Sequence, residues 1–187
     1  VYIEFIMEAL ANDKQVLYLL PEIALTAQIV QRLKAVFGSK VQVYHSRMSN
    51  HERVEMWRAV KGGQSIVIGA RSSLFLPYND LGVIIIDEEH DPSYKQQDPA
   101  PRYNARDAAV FLAMSYGAKV LLGSATPSLE SFFNARQGKY GLVEMMERFG
   151  NVSLPNIQVV NLTKERKAKR LVSYFSKQLR DDIDHAL

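Results

Sequence analysis

A cluster of ionisable side chains follows the most apolar segment of the sequence. Asp87, Glu88, Glu89 and His90 come directly after the β-branched run 83–86. Consecutive carboxylates at the end of a buried strand are costly unless a cation joins them. A magnesium ion that carries nucleotide phosphates suits this pattern, with Asp87 holding the metal through bound water and Glu88 accepting a proton from an attacking water. The pattern favours a nucleotide site over the alternative, a solvated acidic turn.

Hydroxyl side chains follow another apolar run. Ser124 and Thr126 lie between the run 120–122 and Pro127. They are placed to hydrogen-bond the acids of a neighbouring strand and to sense their state. The alternative is an ordinary strand–turn–helix connection in which Thr126 caps the helix.

Two more turns could present backbone N–H groups to phosphates. Thr26 lies in the segment that follows the run 16–20, and Arg71 and Ser72 lie in the segment that follows 65–69. Small hydroxylated turns and helix starts bind phosphates through their N–H groups, and Arg71 adds a charge. The alternative for both turns is helix capping.

The segment 91–106 combines aromatic and basic residues with three prolines. Its tyrosines could stack on bases and its cations could meet phosphates of single-stranded DNA. The alternative is that the tyrosines pack on the protein surface. The candidate DNA contacts in this segment are Tyr94, Lys95, Arg102, Tyr103 and Arg106.

The elements that must position these residues alternate between strand and helix. Strands are predicted at 16–20, 41–44, 65–69, 83–86 and 120–122, with short strands near 140–145 and 157–161. Helices are predicted at 22–36, 49–60, 104–116 and 127–136, with a last amphipathic helix over 171–187. A long loop is predicted at 92–103, and 162–170 is typical of a basic linker. The alternation predicts an α/β fold, a parallel sheet with helices on both faces, whose ligands bind beyond the carboxyl ends of the strands.

Composition limits the class of protein. The 187 residues are 47% hydrophobic and 23% charged, which indicates one globular domain or slightly more. The chain has no cysteine, which excludes a disulfide scaffold, a cysteine nucleophile and a thiolate zinc site. No apolar run approaches the length of a membrane span, and the first residues do not resemble a signal peptide. The stretch 164–180 carries seven basic residues against one acid, so it is either a solvated face or a phosphate contact.

The order of four motifs resembles the first motor lobe of superfamily 2 DNA helicases, and more narrowly the primosomal replication-restart helicases. The motifs are Leu-Pro-Glu-Ile-Ala-Leu-Thr, Gly-Ala-Arg-Ser-Ser-Leu-Phe, Asp-Glu-Glu-His and Gly-Ser-Ala-Thr-Pro-Ser. The resemblance implies a RecA-like fold that hydrolyses ATP with magnesium and translocates 3′ to 5′ on single-stranded DNA. It also implies forked DNA, primosome proteins and single-strand-binding protein as partners, no membrane, and a bacterial cytoplasmic location.

The resemblance assigns expected roles to single residues. Asp87 would hold magnesium, Glu88 would activate water, and His90 would join them at the nucleotide. Ser124 and Thr126 would couple hydrolysis to DNA. The segments around Thr26 and around Arg71 and Ser72 would touch the DNA backbone, and the 91–106 segment corresponds to an aromatic-rich loop of related helicases.

The sequence also departs from that family. No Gly-x-x-x-x-Gly-Lys-Ser/Thr occurs in the chain; in the family this phosphate loop stands just before the residues that match Val1-Tyr2. We therefore expect a P-loop NTPase fold without its first strand and phosphate loop, negligible ATPase activity, and open strand edges prone to association. The family's zinc has no ligands in this chain.

The expected organisation is a truncated ATP-binding lobe over 1–150 and a basic linker and helix over 151–187 that lead toward a second motor lobe. Two other functions stay open at this point. One is another superfamily 2 DNA translocase, and the other is a catalytically inactive nucleic-acid-binding module.

Overall fold

The computed structural model describes residues 1–21, 27–146 and 156–186. These residues form two compact units, Val1–Leu142 and Val143–Leu187. The helices of the first unit are α1 (Tyr2–Ala11), α2 (Ala27–Phe37), α3 (Asn50–Lys61), α4 (Ala105–Tyr116) and α5 (Leu129–Arg136). Its strands are β1 (Gln15–Leu19), β2 (Val41–Tyr44), β3 (Ile66–Gly69), β4 (Leu81–Ile86) and β5 (Lys119–Leu122).

The second unit contains two short helices, α6 (Leu162–Lys167) and α7 (Lys177–Ala186). In α6, the Asn161 side chain accepts from the Lys164 backbone N–H and so caps the helix. Among the described residues, no helix combines the length and the apolar character needed to cross a bilayer.

The five strands form one parallel sheet in the order β2-β3-β1-β4-β5. β1 lies at the centre, with Leu19 in register with Gly69 of β3 and with Ile86 of β4. Ile86 is in turn in register with Leu122 of β5. Because all strands run the same way, the turns that follow β1, β3, β4 and β5 meet at one edge of the sheet.

Alternate residues of the strands supply two apolar layers. On one face, Leu17 and Ile84 pack with Met56 of α3 and with Ala109 of α4. On the other face, Val16 and Ile85 pack with Ile6 of α1 and Leu33 of α2. The predicted α/β fold, a parallel sheet with helices on both faces, is confirmed.

Most predicted elements are present, with shifted ends. The capping box that the sequence predicts at Ser49 and Glu52 forms, and Gly117 ends α4 in the left-handed region, at φ 63°. Two predicted helix starts have different outcomes. Residues 22–26 are outside the described residues, and α5 begins at Leu129 after a Ser128 cap, because the Ser128 hydroxyl rather than that of Thr126 accepts from the Ser131 backbone.

Three predictions about the second half of the chain are wrong. The backbone at 140–145 and at 157–161 is irregular rather than extended. The last helix begins at Lys177, six residues later than predicted, because Val172 and Phe175 pair in a tight turn before it. The stretch 162–170, predicted as a linker, contains α6. One helix of the first unit, α1, was not predicted.

Candidate nucleotide and DNA site

Asp87 occupies the first position after β4, beside the end of β1. Its backbone N–H donates to the Leu19 carbonyl at 3.1 Å, which extends the pairing of the two strands by one residue. Its carboxylate accepts from the phenol of Tyr2 at one oxygen and from the phenol of Tyr18 at the other, each at 3.1 Å. The two tyrosine rings meet edge to face, with centroids 5.6 Å apart. The Asp87 carboxylate is therefore fixed from two elements, α1 and β1.

The two phenols stay protonated donors. Burial raises the pKa of Tyr2 and of Tyr18 well above the ordinary value, and the negative charge of Asp87 raises both further. A phenol that cannot ionise near neutral pH always presents its proton to the carboxylate. Tyr2 and Tyr18 thus orient Asp87 without competing with it for a cation. Sequence reasoning missed both residues.

The turn after β5 approaches this pair closely. A Cβ placed on Gly123 would overlap the Tyr2 hydroxyl and would lie 3.3 Å from the Asp87 carboxylate. Glycine is therefore required here by space, since any side chain would displace Tyr2. The Gly123 backbone also donates to the Ile86 carbonyl and accepts from the Glu89 N–H, at 2.9 and 3.0 Å. The two turns are consequently one hydrogen-bonded structure.

Glu88 adopts a left-handed backbone conformation, with φ at 48°. Non-glycine residues adopt this region at a cost, and such residues cluster at functional sites. The Glu88 side chain is about half exposed (48%), and one of its oxygens lies 3.6 Å from His90 Nδ1. Because of this turn, the carboxylates of Asp87 and Glu88 point in different directions, and that of Glu88 is open to solvent.

His90 joins the acidic turn to the hydroxyl turn. Its Nδ1 lies 2.7 Å from Ser124 Oγ, and its Nε2 lies 3.4 Å from Thr126 Oγ1. Ser124 Oγ also accepts from the Thr126 backbone N–H at 3.0 Å. The structure therefore brings together the five residues predicted for the nucleotide site: Asp87, Glu88, His90, Ser124 and Thr126.

Glu89 is buried, with only 3% of its surface exposed. Its carboxylate accepts from the Ser128 backbone at 2.6 Å, from the Ser128 and Ser131 hydroxyls, and from Arg106 Nη1 at 3.1 Å. Burial raises the pKa of Glu89, but these four hydrogen bonds together outweigh that effect and lower it below its ordinary value. The third acid of the cluster therefore binds α4 and α5 to the end of β4.

Sequence reasoning also missed this role. The only signal was the Ser-x-x-Ser spacing of Ser128 and Ser131, which places two hydroxyls at one helix start. Nothing in the local sequence indicated that Glu89, rather than solvent, would meet them.

Two residues predicted as DNA contacts are turned inward in this structure, and their role in DNA binding stays a prediction. Tyr94 is 1% exposed, and its hydroxyl donates to the carbonyls of Leu19 and Asp87, so neither face of its ring is open to a base. The guanidinium of Arg106 is 11% exposed and binds Glu89, Asp107 and Ser128. Both residues are directed inward because the end of β4 has polar groups to satisfy.

The other predicted DNA contacts that the structure describes lie at or near the surface. Ser72, Lys95 and Arg102 are exposed, and Tyr103 is half-buried. Arg71 is half-buried, and its Nη1 donates to the Lys95 carbonyl at 3.1 Å, so it joins the segment after β3 to the 91–106 segment. Thr26 lies outside the described residues. The role of these residues as DNA contacts stays a prediction.

The residues present fit a hydrated magnesium ion that arrives with phosphates. Within the described ranges, no group of three or more His, Asp or Glu side chains could hold a metal by itself. One fixed carboxylate, Asp87, with Glu88 beside it is the donor set expected of Mg²⁺, which keeps several waters and binds one or two carboxylates plus substrate phosphate oxygens.

Comparison with known proteins identifies the family. Residues 1–134 match the family described as DEAD/DEAH box helicase. The chain belongs to the DEAD/DEAH box helicase family. The Asp-Glu-Glu-His turn, the Ser124–Thr126 turn and the parallel sheet of this helicase domain all lie inside the matched range.

Two bacterial relatives share one name. The helicase domain is 43% identical over 190 residues to replication restart protein PriA of Rickettsia felis, covering 99% of this chain and 29% of the relative. It is 48% identical over 163 residues to replication restart protein PriA of Haemophilus influenzae, covering 87% and 22%. The predicted resemblance to replication-restart helicases is confirmed. The chain spans less than a third of the length of these relatives.

A solved structure is also similar to the domain. The DUF1998 helicase MrfA bound to DNA and AMPPNP aligns with a TM-score of 0.46 and 16% identity, over 70% of this chain and 18% of that one.

Proposed function

We propose that the chain is the first motor lobe of a replication-restart DNA helicase, which couples hydrolysis of Mg-ATP to 3′-to-5′ translocation on single-stranded DNA. The observation that carries the proposal is the joining of two turns by His90, 2.7 Å from Ser124 and 3.4 Å from Thr126. The family match and the relatives named replication restart protein PriA support the same function.

In this proposal each carboxylate has its own task. Magnesium, when bound with the nucleotide, neutralises phosphate charge. Asp87 holds the hydrated ion, and its orientation is fixed by Tyr2 and Tyr18. Glu88 is open to solvent and accepts the proton of the attacking water. Glu89 keeps the strand end in place through Arg106.

The 91–106 segment is the proposed link to DNA. It begins one residue after His90 and ends at Arg106, which binds Glu89, so both of its ends are attached to the acidic turn. Lys95 and Asn104 pair across the segment, and Arg71 holds it to the segment after β3. A DNA strand that contacts Lys95, Arg102 or Tyr103 would therefore act on residues that are bonded to the nucleotide site.

The sequence has no Gly-x-x-x-x-Gly-Lys-Ser/Thr, so the β- and γ-phosphates would lack a backbone cradle and a lysine within these 187 residues. We therefore propose that the chain alone has negligible ATPase activity and acts within a longer polypeptide. Primosome proteins, single-strand-binding protein and forked DNA belong to that longer protein as proposed partners.

The test is DNA-stimulated ATP hydrolysis by the full-length protein. Glu88→Gln should lower kcat by at least about 100-fold because it removes the proton acceptor. Glu55→Gln, the same charge change at an exposed residue of α3 (64%) that pairs only with His51 among the described residues, should leave kcat unchanged. DNA binding with no ATPase activity would favour the inactive nucleic-acid-binding module instead. Unwinding assays with 3′-tailed and 5′-tailed duplexes give the polarity.

A further inference from the structure

An aromatic cavity lies between α3, the end of β2 and the segment after β3. Its volume is about 270 Å³, and its lining includes Tyr44, Arg53, Trp57, Ser72 and Phe75. Two of these aromatic side chains are unusually open for their size, since Trp57 is 44% exposed and Phe75 is 67% exposed. Large aromatic residues that stay open beside a cavity mark binding surfaces.

Two cationic side chains lie beside this cavity, and one of them, Arg53, lines it. The Arg53 guanidinium is held at its wall by the carbonyls of Ser46 and Met48, at 2.8 and 3.1 Å. No carboxylate in the described part of the chain lies within ion-pair distance of Arg53. Lys61 Nζ lies 5.1 Å from the ring centroid of Trp57. The occupant should therefore combine a flat apolar surface with negative charge.

The cavity is also continuous with the proposed DNA surface. Ser72 lines it and belongs to the segment predicted to touch the DNA backbone. The ring of Phe75 meets the ring of Tyr103 edge to face, with centroids 5.2 Å apart. The Phe75 side chain thus borders both the cavity and the 91–106 segment.

We propose that this cavity, lined by Trp57 and Phe75, binds one base of single-stranded DNA by stacking. The inference rests on the proposed DNA-binding function and adds to it a base-binding site that the motifs did not indicate. Stacking on aromatic rings beside a positively charged surface is the general way in which proteins bind single strands without sequence preference. Arg53 binds a flanking phosphate.

The chain carries its own reporter for the test, because Trp57 is its single tryptophan. The 187-residue chain is titrated with a short oligothymidylate and with an abasic oligonucleotide of the same length. Trp57 emission reports stacking, and the anisotropy of a labelled strand reports binding. We expect oligothymidylate to quench Trp57 and the abasic strand to bind without quenching.

Two phenylalanine variants test whether binding depends on stacking in the cavity. Phe75→Ala should weaken binding of oligothymidylate at least about fivefold and leave binding of the abasic strand unchanged. Phe133→Ala is the matched control, since Phe133 is a comparably exposed phenylalanine (58%) of α5, which does not line the cavity. Circular dichroism checks that each variant is folded.

Each outcome decides one of the two proposals. Anisotropy changes without quenching, with equal binding by wild type and Phe75→Ala, would overturn the base-binding cavity and leave DNA binding intact. Equal quenching by the abasic strand would also overturn it. No anisotropy change with any strand would overturn the proposed DNA binding and the cavity together. A Trp57 shift that depends on protein concentration without DNA would assign the cavity to self-association instead.

Discussion

Glu89 shows how one residue of an acidic cluster can serve the fold while its neighbours serve chemistry. The Asp87 carboxylate accepts from phenols, and the Glu88 carboxylate is open to solvent. The Glu89 carboxylate, in contrast, is enclosed by a cation, two hydroxyls and a backbone N–H. A buried charge is tolerated only when it is paired and hydrogen-bonded in this way. The three acids therefore respond differently to the same substitution.

Glu89→Gln should destabilise the protein by about 3 kcal/mol, because it removes the buried counter-charge of Arg106 and leaves only the exposed Asp107 to pair with it. Urea unfolding at neutral pH measures the free energy of unfolding. Glu88→Gln is the matched control, since the exposed Glu88 has only the contact to His90 at 3.6 Å, and it should cost well under 1 kcal/mol. Similar losses for the two variants would contradict the structural role of Glu89.

The lowered pKa of Glu89 also predicts a pH dependence. The folded state binds this proton more weakly than the unfolded state, whose pKa is about 4.3. The stabilisation is therefore present above that pH and is lost as pH falls through the folded pKa. The free energy of unfolding should fall more steeply below about pH 4.3 in wild type than in Glu89→Gln. The pKa of Glu52 is lowered as well, but Glu52 is present in both proteins. The difference between the two pH curves therefore reports Glu89 alone. Parallel pH curves would contradict this assignment.

At the scale of elements, the turn after β5 lies very close to α1, and this closeness restricts its sequence. Gly123 leaves room for the Tyr2 hydroxyl, which reaches Asp87 from α1. Tyr2 therefore connects α1, β4 and β5 at the edge of the sheet where the candidate site lies.

Gly123→Ala should displace the Tyr2 ring and cost about 1–2 kcal/mol, from the lost hydrogen bond to Asp87 and the lost packing on Tyr18. Thermal or urea unfolding of both single variants and the double variant measures this coupling. Once Tyr2→Ala has removed the ring, Gly123→Ala should add little further cost. Full additivity would show that the cost of the added methyl group does not come from Tyr2.

The strands and the central helices could be predicted because their patterns are local. The β-branched run 83–86 is buried on both sides, and the Ser49–Glu52 box caps α3 within four residues. Helix α1 was missed although Ile6 and Ala9 are buried in it, as many residues as α3 buries. The predicted strands at 140–145 and 157–161 have no partner strand in the described structure, and an apolar run without a partner does not form a sheet.

The candidate site could be predicted only as far as its motifs extend. The motifs predicted that the hydroxyl turn lies beside the acidic turn. Ser124 and Thr126 do lie there, but among the described residues their hydroxyls contact His90 and not the acids. The inward turn of Tyr94 could not be predicted, because its partners are carbonyls of residues 7 and 75 positions away in the sequence. The contacts of Arg106 with Glu89 are non-local for the same reason, since 17 residues separate them.

At the scale of the whole molecule, strand β5 forms one edge of the sheet. β5 pairs within the described sheet only with β4, and its residues Val120, Leu121 and Leu122 are only partly buried. The helix that follows β4, α4, uses its alanines to pack on the sheet and leaves Phe111 and Met114 exposed at 72% and 75%. An open strand edge together with exposed apolar side chains favours association.

We therefore expect the 187-residue chain to self-associate as its concentration rises, and to do so at high salt as well, because the contact is apolar rather than ionic. Sedimentation velocity over a concentration series measures the effect. Combining Phe111→Glu with Met114→Glu should reduce association without loss of fold, since both side chains lie outside the core. Combining Val36→Glu on α2 with Met7→Glu on α1 adds the same charge at half-exposed residues and should leave association unchanged. A monomer at every concentration, or equal association of wild type and the double variant, would show that this face is not the contact.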